Sequence, residues 1–84
     1  MKKLKPGFLY YFNFDHLGSS VLIYNFLDGS IKWLPEKIPF LLLEYEIREN
    51  SFYNIIFLVE NVKYSCFIAE KNIKILHKHS PIIK

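Results

Sequence analysis

The chain has 84 residues and a formal net charge of +3, with 51% hydrophobic and 18% aromatic residues. That length fits one domain, residues 1–84 with a core over about 5–76 and a basic tail over 77–84, and so apolar a composition excludes intrinsic disorder. Cys66 is the single cysteine, which excludes an internal disulfide framework, and the longest uncharged run, residues 17–27, falls well short of the roughly 18 residues of a membrane-spanning helix.

The apolar stretch after Lys5 is interrupted by Pro6, Gly7, Asn13 and Asp15 and offers no small-residue cleavage site. A signal peptide is therefore not expected, and the expected setting is the reducing cytoplasm. Phe, Tyr, Met, Ile, Asn and Lys fill 42 of the 84 positions, against one Ala and one Arg. Those residues share AT-rich codons, so the excess of Lys over Arg reflects base composition before it reflects a ligand.

In chain order, the first predicted strand covers 7–12, where Phe8, Tyr10 and Phe12 share one parity and Leu9 and Tyr11 the other. Residues 21–27 are apolar on both parities, Leu22, Tyr24 and Phe26 opposing Val21, Ile23 and Leu27. Asp28-Gly29 then predicts a tight type I′ turn into a strand over 31–34, because glycine accepts positive φ without steric cost. Pro35 and Pro39 bracket a loop, since neither can donate to a central ladder. Over 40–48, Leu41, Leu43, Tyr45 and Ile47 alternate with Glu44, Glu46 and Arg48, the pattern of a half-buried strand.

A polar connection over 48–53 leads to a strand over 54–60 that is apolar on both faces. Glu60-Asn61 predicts the next tight turn, with Asn tolerating left-handed backbone. In the strand over 62–69, Val62, Tyr64, Cys66 and Ile68 point one way and Lys63 and Ser65 the other. Ala69, Glu70 and Lys71 supply one helical turn, and Ile73-Lys74-Ile75 a last short strand. Short strands spaced near ten residues apart predict an all-β barrel or sandwich.

The order of these parts resembles an SH3-like barrel. Gly7-Phe8-Leu9-Tyr10-Tyr11 stands as the first strand, and the hairpin around Asp28-Gly29 as the long loop. The run from Leu34 through Pro35 and Pro39 to Glu44 is similar to the diverging turn and second strand. The strands joined at Glu60-Asn61 resemble the distal hairpin, and residues 67–76 the closing helical turn and strand. The resemblance implies an all-β, SH3-like barrel of five to seven short antiparallel strands with one short helical turn near 69–72. The opening Lys5-Pro6-Gly7 is similar to small SH3-like proteins encoded by phages. Peptide-binding SH3 domains carry an acidic long loop, a Trp opening the third strand, and a Pro and Tyr around the helical turn. Here the loop has only Asp15 and Asp28, Trp33 lies in the first hairpin, and no Pro precedes Asn72, so recognition of proline-rich segments is not expected.

Catalytic and metal chemistry find little support. His77 and His79 offer two ligands where zinc needs three or four, His16 is distant in sequence, and solvated histidines in a basic tail explain the pair. Cys66 shares parity with apolar neighbours and is expected in the core as an inert thiol. Glu44 and Glu46 share one strand face, as a wet face would have them, and Gly7, Gly18 and Gly29 form no phosphate-cradling loop. The expectation is a non-enzymatic domain without a cofactor, metal, membrane span or small-molecule substrate.

Two surfaces remain. The 43 apolar residues exceed the roughly 20 core positions of one small barrel, in which one strand face in two is buried. The excess marks a protein interface, for a protein partner or a homo-oligomer. Its candidate residues are Tyr10, Phe12, Tyr24, Phe26 and Trp33, with Phe52 and Tyr53 further out. The alternative is a nucleic-acid-binding barrel of the KOW- or Sm-like kind. Residues 71–84 carry four Lys and no acid, so Lys71, Lys74 and Lys78 are expected to converge with Lys2, Lys3 and Lys5 beside Tyr10, Tyr11 or Phe12.

Overall fold

The computed structural model describes residues 4–14 and 19–76. It is all-β: seven antiparallel strands form a curled half-barrel with two short 3-10 turns. In chain order the strands are β1 (Leu9–Phe12), β2 (Ser20–Asn25), β3 (Ile31–Pro35), β4 (Phe40–Ile47), β5 (Phe52–Val59), β6 (Val62–Ala69) and β7 (Ile73–Ile75). Across the sheet they run β3-β2-β6-β5-β4-β1-β7. The expected helical turn is the 3-10 turn Glu70–Asn72, and a second one, Glu49–Ser51, lies within the polar connection. The basic tail over 77–84 lies outside the described residues. Among the described residues no helix is long and apolar enough to cross a membrane.

Strand alternation decides the core. Tyr53, Ile55, Phe57 and Val59 of β5 and Tyr64, Cys66 and Ile68 of β6 point inward and are buried. Tyr10 and Phe12 of β1, Phe40 and Leu42 of β4, Ile23 of β2, Leu34 of β3 and Ile73 of β7 complete that face. The rings of Phe12 and Phe40 lie 4.6 Å apart, Phe40 and Phe57 4.7 Å, and Phe12 and Phe57 5.9 Å edge-to-face. Such offset and T-shaped contacts suit aromatic quadrupoles and bury large apolar area. Among the described residues fifteen hydrophobic side chains are buried and seven more pack against them, close to the core size expected of one small barrel.

Strand β4 departs from the expected alternation. Strict period two would bury Leu41, Leu43, Tyr45 and Ile47, yet Phe40 and Leu42 are buried and Ile47 is 58% exposed. The register against β5 passes from Leu42↔Phe57 directly to Glu44↔Ile56, leaving Leu43 as an extra residue. This bulge switches the inward parity along the strand and adds the local bend that a curled sheet needs.

The turns also separate. Glu60 (φ 51°) and Asn61 (φ 69°) join the pair Val59↔Val62 with two residues of positive φ, the geometry of a type I′ turn. Asp28-Gly29 does not form one. Strands β2 and β3 pair as expected, but residues 26–30 connect them, and only Gly29 (φ 74°) in that loop has positive φ. Asn25 accounts for the difference: its Oδ1 accepts from the Leu27 and Asp28 amides at 2.7 and 3.2 Å, so the chain turns before it reaches Asp28. The Asp28 carboxylate then accepts from the Ser30 hydroxyl at 2.7 Å and its amide at 2.9 Å, which holds its pKa below the usual value. Past β3, the Lys37 amide donates to the Phe12 carbonyl at 2.8 Å and the Phe14 amide to Glu36 Oε1 at 3.1 Å. These bonds draw the end of the hairpin onto the end of β1 and keep the sheet curled.

Residues other than glycine and asparagine pay sterically for left-handed backbone, by about 1–2 kcal/mol. Replacing Glu60 with Asn and Asn61 with Gly should therefore raise stability by roughly 1 kcal/mol in urea melts. A loss of stability would mean that the β5–β6 turn has a different geometry.

Candidate protein-interaction face

Cross-strand register fixes what shares the outer face. One row crosses the sheet through Glu44 of β4, Ile56 of β5, Ser65 of β6, Tyr24 of β2 and Ile31 of β3. The next contains Glu46, Asn54 and Phe67 and, beyond a gap, the pair Leu22↔Trp33. The gap exists because β2 and β6 pair only at Tyr24↔Ser65 and Asn25↔Tyr64, then part. Leu22, Tyr24, Ile31, Trp33 and Phe67 consequently stand on the outside, between 46% and 64% exposed. Of their opposite-parity neighbours, Ile23, Leu34, Cys66 and Ile68 are buried, while Lys32 is exposed.

Where β2 and β6 part, a shallow groove of about 280 Å³ opens. Leu22, Tyr24 and Ile31 line one side and Asn54, Ser65 and Phe67 the other, with Ile23 and Cys66 reaching its floor. Phe67 stacks on Phe52 of β5, ring centroids 5.0 Å apart and 19° from parallel. Lys63 Nζ lies 5.0 Å from the Phe26 ring, at a distance where the cation meets the negative face of the quadrupole. Lys32, of opposite parity to Trp33, instead covers the Tyr64 ring at 5.3 Å.

The expected contact residues divide. Tyr24, Phe26 and Trp33 are exposed together on the β2–β3 hairpin, and Phe52 is half-buried beneath Phe67. Tyr10, Phe12 and Tyr53 are corrected: they are 2%, 0% and 2% exposed, because the parity that carries them in β1 and β5 faces the core. Leu22 and Ile31 belong to the face through their pairing with Trp33 and Tyr24, and Phe67 through its shared parity with Lys63 and Ser65.

Of the lysines expected to converge, Lys5, Lys71 and Lys74 fall within the described residues. Lys2, Lys3 and Lys78 lie outside the described residues. Lys5 and Lys71 are exposed, and half-buried Lys74 sits cross-strand from Tyr11. Tyr11 and Lys37 line a hollow with Ile75 and Leu76. With Tyr10 and Phe12 buried, Tyr11 is the ring of β1 that faces outward here, half-buried. In the strand order this basic group sits at the β7 end and the aromatic face at the β3 end.

Burial pushes the Cys66 thiol from 9.0 to about 12, so at neutral pH it is protonated and a poor nucleophile. Among the described residues no three His, Cys, Asp or Glu side chains gather as a metal site, and His16, His77 and His79 lie outside them. The Tyr53 hydroxyl is also pushed up, by burial first and then by Glu70 and Tyr45.

The raised thiol pKa couples stability to pH. Unfolded Cys66 ionises near 9.0 while the folded form holds its proton to about 12, so above pH 9 unfolding releases a proton. The contribution is complete below about pH 9 and is lost as pH rises toward 12. Denaturant melts should show stability falling across that window, less steeply in Cys66→Ala than in the parent. An identical slope in both would show that the thiol is not buried.

No family model, curated protein or solved structure matches the chain, so its function has to be read from the geometry of this face.

Proposed function

We propose that this chain is a non-catalytic β-domain that works as a protein-interaction or assembly subunit through the outer face of β2, β3 and β6. The observation that carries the proposal is the set Leu22, Tyr24, Ile31, Trp33 and Phe67, turned outward on paired strands while the inner face is already filled. Five such side chains, each about half exposed, present on the order of 500 Å² of apolar surface. Patches of that size on small soluble domains are commonly functional. Aromatic side chains suit contact, because each buries much area for little rotamer entropy. An SH3-like relationship, and the phage source that its opening residues resemble, belongs to the same proposal. The barrel likeness draws on the pairing of the first and last strands, β1 with β7, and on the β2–β3 hairpin, and the phage source on Lys5-Pro6-Gly7 alone.

A photoreactive phenylalanine analogue at position 33 should trap a protein adduct of defined mass in cells, while the same analogue at position 37 should not. Absence of any protein adduct at position 33 would overturn the proposal.

A second reading, nucleic-acid binding, is favoured by the group at the opposite end of the strand order, where Tyr11 lies beside Lys74 and Lys37. Lysines there would contact phosphates and the tyrosine would stack on a base. Binding to a single-stranded oligonucleotide should then weaken steeply with salt. Replacing Lys37, Lys71 and Lys74 with Gln should lower the slope of log affinity against log salt by about 2. No binding at low salt would remove this reading.

A further inference from the structure

We infer that the occupant of the outer face is a second copy of this chain, held by reciprocal insertion of each Trp33 into the other's groove between β2 and β6. The inference rests on reading this face as a protein-interaction surface, and it names the partner.

The knob and the hole are neighbours. Trp33, 64% exposed, projects from β3 cross-strand from Leu22. On the other side of β2 lies the groove of about 280 Å³ between Leu22, Tyr24 and Ile31 and the facing Asn54, Ser65 and Phe67. Because β3 and β6 flank β2 on either side, a half-turn about an axis along β2, lying in the contact plane, sets β3 of each copy over β6 of the other. Each indole then enters the partner's groove, and the contact is isologous and closed, as two-fold association requires. Asn54 and Ser65 supply oxygen acceptors at the groove for the indole N–H, which a buried Trp needs. Leu22 lies close to the axis and meets its own counterpart.

Area and curvature agree on the strength. The outer face of a curled sheet is convex, so two copies touch along one line of strands. Roughly 500–600 Å² per copy is available there, near the lower bound of specific interfaces. That size fits a reversible dimer, not an obligate one. Strand addition at the free edge of β3 is a poorer route to the same dimer. Pro35 has no N–H to offer a new ladder, and Lys32 would oppose like charge along that edge.

Trp33 is the only tryptophan, so its fluorescence reports this contact alone. Sedimentation and emission spectra of the full chain, from about 1 µM to about 1 mM, should show a monomer becoming a dimer with a midpoint of tens of micromolar. The emission should shift to the blue over the same range. Trp33→Ala should raise the dissociation constant roughly 30-fold or more, as a hot-spot aromatic does, without changing the melting of dilute protein. Leu22→Glu and Leu22→Lys should each be monomeric, and their equimolar mixture should restore the dimer. A monomer throughout with unshifted emission would overturn the inference. So would a dimer that survives Trp33→Ala, or a mixture of the Leu22 variants that stays apart. A monomer whose position-33 crosslinker still traps a different protein would overturn the second copy and leave the interaction reading standing. A monomer with no adduct would remove both.

Discussion

The contact of Phe12, Phe40 and Phe57 is the constraint on which the rest of this molecule depends. These rings come from β1, β4 and β5, which are adjacent in the sheet, and all three are essentially without solvent contact. Once they meet, the inward parity of each of those strands is fixed, because a one-residue slip would exchange its two faces. Hydrogen-bonded register then transmits the choice outward. β6 must bury Tyr64, Cys66 and Ile68 opposite β5, and β2 must bury Ile23. The bulge at Leu43 belongs to the same constraint, since without it Glu44 would take the inward parity of Phe40 and Leu42.

What faces outward is the complement of that choice. With core positions taken by alternate residues, the remaining apolar side chains of β2, β3 and β6 have no interior left to enter. The face they make is unequal across the sheet. It is acidic at Glu44 and Glu46 on β4 and aromatic or aliphatic on the β2–β3 hairpin. It is opened between β2 and β6, where pairing stops. The splayed hairpin turns an otherwise convex surface into a ridge beside a furrow. The lysines of β7 and the turn before it are grouped with Tyr11 rather than with the rings of the β2–β3 hairpin, and in the strand order they lie at the other end of the sheet.

Much of the fold was legible in the sequence where a strand obeys period two without interruption. Residues 62–69 and 73–75 form strands at the expected limits, and the parity of Tyr64, Cys66 and Ile68 is the buried one. Period two failed at β4, because within the run Leu41-Leu42-Leu43 no residue marks which one is the extra residue of the bulge. The Asp28-Gly29 turn was misread for a different reason. An Asn three residues earlier captures two amides with its side chain, and that local bond outcompetes the glycine signal. Of the contact residues, Trp33, Tyr24 and Phe26 were visible as aromatics in a hairpin, whereas Tyr53, expected in the polar connection over 48–53, belongs to β5, which begins at Phe52, and Tyr10 and Phe12 lie on a strand apolar on both parities. Sequence cannot say which parity of such a strand meets the core. Phe67 was within reach, since it shares its parity with Lys63 and Ser65.

The division into an inner set that holds the fold and an outer set that is free for contact is tested most directly by paired urea melts of Phe12→Ser and Trp33→Ser on dilute protein. Phe12→Ser should cost at least about 3–5 kcal/mol, enough to leave the domain marginal or unfolded, since it creates a cavity and buries a hydroxyl. Trp33→Ser should change stability by no more than about 0.5 kcal/mol, as an exposed substitution does. Comparable losses in both would place Trp33 in the core of the fold and contradict the division between the two faces.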